Sequence, residues 1–168
     1  ALPSMAASPS APGQLATTSE AEVPLPASPV ILDTRTVDGK PLYIHVTILE
    51  PEISEKDGEK FMVYPLSTDS NHKSITKRPT VVLRRYREFV WLRTHFKLDA
   101  THKERKVPDL PPKSVFKTFN DKKFNNDRMR GLEEFLRQIT SDEAFLDENI
   151  LYQFLKSADL SKSVGYAV

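Results

Sequence analysis

Apolar and polar positions along this chain change their period once, and the change divides it into two halves. From Leu42 to Leu49, Leu42, Ile44, Val46 and Ile48 alternate with Tyr43, His45, Thr47 and Leu49, the period of two that predicts a half-buried strand. Phe61–Leu66 and the β-branched Thr80–Leu83 predict two more strands, the last delivering the chain into Arg84-Arg85-Tyr86. Val30-Ile31-Leu32 adds a short N-terminal strand, and Val37-Asp38-Gly39-Lys40 carries the Asp-Gly signature of a tight turn. Glu50–Glu59 is so charged that it predicts a turn, and the stretch after Leu66 reads as a polar loop through Arg78.

Beyond Tyr86 the period becomes helical. Phe89, Leu92 and Phe96, with Trp91, line one face of a helix between Tyr86 and Leu98. Val107-Pro108-Asp109-Leu110-Pro111-Pro112 excludes helix and inner strand, because proline removes amide donors and fixes φ, and it predicts an extended crossing. Phe124, Met129, Leu132, Phe135, Leu136 and Ile139 then recur at helical spacing, with Phe124 assigned to the core. A last helix is expected near Glu143–Ala158, turning Phe145, Ile150, Leu151, Phe154 and Leu155 inward. Strands first and helices afterwards define an α+β class: a small three-stranded antiparallel sheet, with the short N-terminal strand added to it, packed on a helical subdomain.

Residues 1–29 differ in kind. They are rich in Ala, Ser and Pro and carry no Lys or Arg, so they cannot bury enough apolar surface to offset their ordering entropy, and a disordered tail is expected. Its one apolar, proline-flanked candidate for a protein partner is Val23-Pro24-Leu25-Pro26. The expected division is tail 1–29, folded domain 30–158 and a C-terminal extension 159–168. The sequence stops at Val168, so no long coiled coil or BAR module is expected within it.

Composition narrows the function. At 168 residues, with 39% hydrophobic and 28% charged side chains, the chain suits one domain with a real core. No apolar run is long enough to span a bilayer, and no basic stretch followed by an apolar segment marks a secretory signal. The absence of cysteine removes disulfides, thiol catalysis and cysteine-based zinc sites. A formal charge of +1 conceals a basic stretch at Lys73–Lys106 and an acidic one at Asp142–Glu148, the mark of a patch. His45, His72, His95 and His102 show no metal-ligand spacing and are expected mostly on the surface or in loops. Without a Gly-rich phosphate loop or a G-x-S-x-G elbow, the chain is read as no enzyme, with no cofactor and no metal.

The block Arg84-Arg85-Tyr86-Arg87-Glu88-Phe89 followed by Trp91-Leu92 resembles the R-[RK]-[YF]-x-x-F signature of PX (phox-homology) domains. Val107–Lys113, then Phe124-x-x-x-Arg128-x-x-Gly131-Leu132-x-x-Phe135-Leu136, then Phe154-Leu155 follow in that family's order, over roughly residues 40–157. The resemblance implies recognition of an inositol lipid, commonly phosphatidylinositol 3-phosphate, by a sorting-nexin-like adaptor that is cytoplasmic and peripheral on endosomal or vacuolar membranes. It assigns Arg85 to the 3-phosphate, Tyr86 to the inositol ring, Lys113 to the 1-phosphate and Arg128 to the 4- and 5-hydroxyls. Arg84 and Arg87 are more often flanking or structural in the family. The loop after Lys113 dips into the bilayer in the family, and here Val115, Phe116 and Phe119, flanked by Lys117, Lys122 and Lys123, have the composition for it.

The residue chemistry agrees. A guanidinium offers a planar, permanently charged fork to a phosphomonoester, and an aromatic face gives the apolar side of an inositol ring a platform. Competing accounts remain open at this level. Arg128 could pair with Asp127, Glu133 or Glu134 on a helix surface. Pro108-x-x-Pro111-x-Lys113 also fits a ligand for an SH3 domain, which would make the chain a protein-interaction module with little lipid binding. Nucleic-acid binding by Arg84–Arg93 is opposed by the acidic C-terminal stretch and the near-neutral total.

The tail reading has a direct test. Deleting residues 1–28 should leave the melting temperature and lipid affinity nearly unchanged, as measured by thermal unfolding and liposome co-sedimentation. A drop of more than about 5 °C would show that the tail packs on the domain.

Overall fold

A computed structural model describes residues 28–114 and 119–165. The alternating segments form one antiparallel sheet of β1 (Val30–Val37), β2 (Lys40–Ile48), β3 (Glu52–Lys56), β4 (Glu59–Ser70) and β5 (Thr80–Arg85). The central strand is β4. Its C-terminal half pairs with β2, from Ile48↔Leu66 to Ile44↔Ser70; its N-terminal half pairs with β3, and β5 runs along its other side from Val63↔Arg85 to Thr68↔Thr80. Leu42, Ile44, Val46 and Ile48 all face the core, as the period of two requires.

The three expected strands correspond to β2, β4 and β5, and the N-terminal segment becomes β1. The strand that sequence reading missed is β3, inside the segment expected to be a charged turn. Its side chains are mostly exposed, so no apolar alternation reveals it. Its pairing with β4 sets Glu55 opposite Lys60 and Lys56 opposite Glu59, two opposite-charge cross-strand pairs of the kind that stabilise a solvated hairpin. The turn between them is Asp57-Gly58, with φ of 54° and 76°, nearly the same backbone as Asp38-Gly39 (52° and 74°) between β1 and β2. One Asp-Gly signal was read and its twin, hidden among charges, was not.

The helical layer comprises α1 (Tyr86–Leu98), α2 (Lys122–Ser141), α3 (Glu143–Leu146), α4 (Asn149–Lys156) and α5 (Leu160–Val164). On α1 the expected face is buried: Phe89, Leu92 and Phe96 are fully covered, while Trp91 packs at the margin. On α2, Asp121 caps the N-terminus by accepting from the Phe124 amide, and Leu132, Phe135, Leu136 and Ile139 enter the core. Glu133 on the same helix accepts from the Ile48 amide at 3.0 Å, so α2 also closes the end of β2.

Where one helix was expected over Glu143–Ala158, two short ones occur. Both Phe145-Leu146 and Leu151-Tyr152-Phe154-Leu155 are buried, and the chain turns at Asp147-Glu148 between them. Tyr152 donates its hydroxyl to the Leu146 carbonyl at 2.9 Å, satisfying an acceptor that the break leaves without a helical partner. Arg35, on the irregular stretch of β1, reaches Asp147 at 2.8 Å. Past α4 the chain adds α5, whose Leu160 is buried.

Arg84 joins the two layers. It is 1% exposed, and its guanidinium donates to the carbonyls of Phe154 (2.9 Å), Ser157 (2.6 Å) and Leu83 (2.8 Å). Two of these lie at the C-terminal end of α4, where carbonyls lack helical partners and a cation is favoured by the helix dipole. Burial lowers the Arg84 pKa, against the raising influence of Glu88 and Asp159, but a guanidinium remains charged. Replacing Arg84 with Ala should leave buried carbonyls unsatisfied and a cavity behind, costing on the order of 3 kcal/mol. The check is urea unfolding at constant m-value, with Arg84→Lys expected to fall between Ala and the native protein; a loss below about 1 kcal/mol for Ala would contradict the anchoring role.

Candidate functional site

The sequence alternation at the end of β5 sets up the site. Because Arg84 points inward, Arg85 points to the other side, where its guanidinium carbon lies 3.6 Å from the centre of the Phe61 ring. Arg85 is also the residue before α1, and its amide donates to the Glu88 carboxylate at 2.6 Å. Strand and helix therefore both restrain it. Tyr86 opens α1 and donates its hydroxyl to the Pro111 carbonyl, tying the helix to the proline crossing. Burial raises the Tyr86 pKa, with Arg128 and Arg93 opposing, so the phenol is a neutral donor at physiological pH.

Arg128 comes from the first half of α2. Its guanidinium lies between two rings, 4.4 Å from Tyr86 and 4.6 Å from Phe124, and donates to the Pro112 carbonyl at 3.0 Å. The alternative of a helix-surface ion pair is not what is found. Asp127 pairs with Lys123, Glu134 with Arg137, and Glu133 accepts from Ile48. Phe124, assigned from its spacing to the core, is half-buried and forms one wall of this clamp. The helical period marked its face correctly. That face meets a cation here, because the site interrupts the core near the start of α2.

Arg85, Tyr86 and Arg128 share one cavity of about 350 Å3, within the range of small-ligand sites. Lys60, Phe61 and Met62 from β4, Arg87, Ser114, Phe119 and Asn125 complete much of its wall. Its lining holds four cations, Lys60, Arg85, Arg87 and Arg128, against one carboxylate, Glu59, which favours an anion. Below them, the Tyr64 hydroxyl and the Arg128 Nε are buried and make no hydrogen bond among the described residues. Burial raises the Tyr64 pKa, opposed by Arg128, so the phenol stays protonated beside the guanidinium.

Lys113 is not brought into that group. It is exposed, and although its neighbour Ser114 lines the cavity, Lys113 itself does not. Of the three residues expected to insert into a bilayer, Val115 and Phe116 lie outside the described residues, as does the tail motif at Pro24 and Pro26. Phe119 is half-buried against the cavity. Sequence reasoning missed Phe61, Lys60, Tyr64 and Arg87 as lining residues. The spacing Arg85–Phe61 is set by the β4–β5 register, which no local pattern discloses.

The proline crossing is committed to the fold. Arg93 donates to the Pro108 carbonyl at 2.7 Å, and Tyr86 and Arg128 hold the next two proline carbonyls. Gly131 explains how α2 approaches it so closely: a Cβ there would sit 2.9 Å from the Pro111 Cβ. To serve as an SH3 ligand, the segment would have to leave these contacts.

A strand-ending arginine, a helix-opening tyrosine, a proline crossing and a second arginine on α2 meet around a cation-lined cavity on a small antiparallel sheet. Residues 72–158 match the family model described as PX domain, just over half of the chain, and the chain belongs to that family. Human sorting nexin-10 is 32% identical over 116 residues, covering 68% of this chain and 57% of that protein. Human sorting nexin-11 is 34% identical over 115 residues, covering 68% and 42%. Sorting nexin MVP1 of Candida albicans is 32% identical over 119 residues, covering 69% and 16%. The chain thus matches little more than half the length of these relatives at most. A designed CISK-PX domain solved by X-ray crystallography superposes with a TM-score of 0.55 at 25% identity, covering 67% of this chain and 98% of that one.

Because Gly131 lets α2 and Pro111 touch, Gly131→Ala should push the crossing outward and cost about 1–3 kcal/mol of stability. The same shift should loosen the Arg128 clamp. Thermal unfolding reports the first effect; a native melting temperature in the alanine variant would show that the crossing yields without strain.

Proposed function

We propose that this chain is a membrane-targeting adaptor that binds a phosphoinositide headgroup, phosphatidylinositol 3-phosphate being the favoured lipid. The observation that carries the reading is the convergence of Arg85, Tyr86 and Arg128 on one cation-rich cavity, two of them on rigid element ends. In this reading Arg85 receives the 3-phosphate and Tyr86 lies against the inositol ring. Arg128, held against two aromatic rings, offers donors to the 4- and 5-hydroxyls. Lys113, exposed at the end of the crossing, reaches the 1-phosphate from the bilayer side. Family membership and the sorting-nexin relatives support membrane trafficking as the setting, and endosomal or vacuolar membranes are the compartment proposed here. A single headgroup is a weak anchor, and stable residence takes a second signal. The loop with Val115, Phe116 and Phe119 is proposed to supply it by shallow insertion.

One pair of titrations separates these roles. Arg85→Ala should lower affinity at least about tenfold both for liposomes carrying the 3-phosphorylated lipid and for its soluble short-chain form, since a charge-assisted bond is worth about 1.5–3 kcal/mol. Replacing Phe116 by Ser should weaken liposome binding strongly and leave the soluble ligand nearly unaffected, whereas Phe119→Ser, at the cavity wall, should weaken both. Co-sedimentation across the seven phosphoinositides and calorimetry with soluble headgroups are the measurements. Unchanged binding by folded Arg85→Ala would remove the 3-phosphate assignment, whereas equal losses in both assays for Phe116→Ser would overturn the insertion role of the loop.

A further inference from the structure

At the end of the helical layer opposite Tyr86, the fold gathers a second set of polar side chains unrelated to the basic cavity. His95, on the last turn of α1, and Asp99, the residue that caps that helix, lie one turn apart. Glu148, the residue before α4, joins them, and one donor atom from each lies within 4.8 Å of the other two. Bringing two carboxylates this close costs Coulomb energy unless a cation sits between them. Among the described residues, no Lys or Arg forms a salt bridge with either Asp99 or Glu148.

Two further features support a ligand set rather than a chance cluster. Both hydrogen bonds to Asp99, from the Thr101 amide at 2.8 Å and its hydroxyl at 2.7 Å, fall on Oδ1. They orient the carboxylate. Behind Glu148 stands His102, whose side chain is 3% exposed and whose ring packs on Phe96 and Phe145. Its Nε2 lies 3.2 Å from Glu148 Oε1, while its Nδ1 is buried with no hydrogen-bond partner. A buried imidazole spent on orienting one carboxylate is the arrangement that holds metal-ligating carboxylates in place.

We propose that His95, Asp99 and Glu148 form a site for a divalent transition-metal ion, zinc being the best fit, with His102 as a positioning residue for Glu148. One imidazole and two carboxylates with a fourth position open to water match zinc's ligand preferences; calcium and magnesium favour all-oxygen sets. Tetrahedral zinc with bonds of about 2.0–2.2 Å places its ligand atoms about 3.3 Å apart. The half-buried His95, Asp99 and Glu148 side chains hold their donor atoms within 4.8 Å of one another, and binding would draw them to that closer spacing. Bound there, the ion would staple the C-terminal end of α1 to the junction of α3 and α4, and the pattern of histidines along the sequence gives no hint of it, because Glu148 is contributed from a distant element. The site is independent of the phosphoinositide reading.

The test uses the untagged full chain, chelator-treated and titrated with zinc by calorimetry, with cobalt as a spectroscopic stand-in. Expected are one saturable equivalent at micromolar zinc, a raised melting temperature, and a visible cobalt spectrum of tetrahedral type. His95→Gln and Asp99→Asn, both retaining polar character and the latter retaining the acceptor for Thr101, should each weaken binding at least about tenfold. His45→Gln, on the sheet, should not. Calcium should leave the melting temperature where it was. Absence of saturable zinc binding below millimolar concentration, or binding unaltered in folded His95→Gln, would overturn the proposal, as would equal stabilisation by calcium.

Discussion

The anchoring of Arg84 on the C-terminal carbonyls of α4 is the constraint on which the rest of this structure depends. A buried guanidinium without a carboxylate is costly unless its donors are met, and here carbonyls meet them. The arrangement fixes the end of β5 against the last core helix, at the point where the chain passes from sheet to helix. Because side chains alternate along a strand, fixing Arg84 inward fixes Arg85 outward, and the next residue, Tyr86, starts α1. Three consecutive residues thus serve the core, the cavity wall and the proline crossing in turn. A slip of one residue in β5 would exchange the first two roles and ruin both.

The opposite wall is set by a second close contact. Gly131 allows α2 to lie directly on Pro111, and from that position Arg128, one turn earlier on α2, reaches the Pro112 carbonyl and the Tyr86 ring. The crossing therefore acts as a spacer between two helices. Its proline carbonyls, which cannot join a sheet or helix ladder, become acceptors for Tyr86, Arg93 and Arg128. Prolines that look like an exposed ligand motif in the sequence serve as rigid structural contacts in the fold.

How much of this was legible in the sequence depends on the range of the determining interaction. Periods of two and 3.6 disclosed β2, α1 and α2, each with one buried face, while an apolar run marked β4 and β-branched residues marked β5; all of these patterns are local. The resemblance motif placed Arg85, Tyr86 and Arg128, and these three do share a cavity. Hidden were features fixed by pairing across the chain. The β3 strand has no apolar face and exists through its register with β4. Phe61 stacks on Arg85 because of the β4–β5 register. Phe124 followed the apolar period of α2 but meets a guanidinium, and a hydrophobic period cannot tell a core from an aromatic clamp. The break at Asp147-Glu148 was equally invisible, because it answers to what Leu146 and Tyr152 pack against rather than to a proline or glycine.

The treatment of charge distinguishes the cavity from the remaining surface. Arg35, Arg93, Arg105 and Arg137 each pair with a carboxylate, and such exposed pairs contribute little to stability while neutralising the surface. Arg128 is held instead by two aromatic faces and a carbonyl, none of which carries a compensating charge, and no carboxylate among the described residues forms a salt bridge with it. Aromatic faces fix a guanidinium's plane without consuming its in-plane donors, which a bidentate carboxylate would occupy. The result is a cation restrained in direction but still able to donate, and an anion entering the cavity would find its partner already oriented. Restraint before binding lowers the entropy lost on binding, so the same rings that shape the wall would add to affinity for an anion there. A net charge of +1 for the whole chain is compatible with this, because Arg35, Arg93, Arg105 and Arg137 are neutralised away from the cavity, whose lining holds more cations than carboxylates.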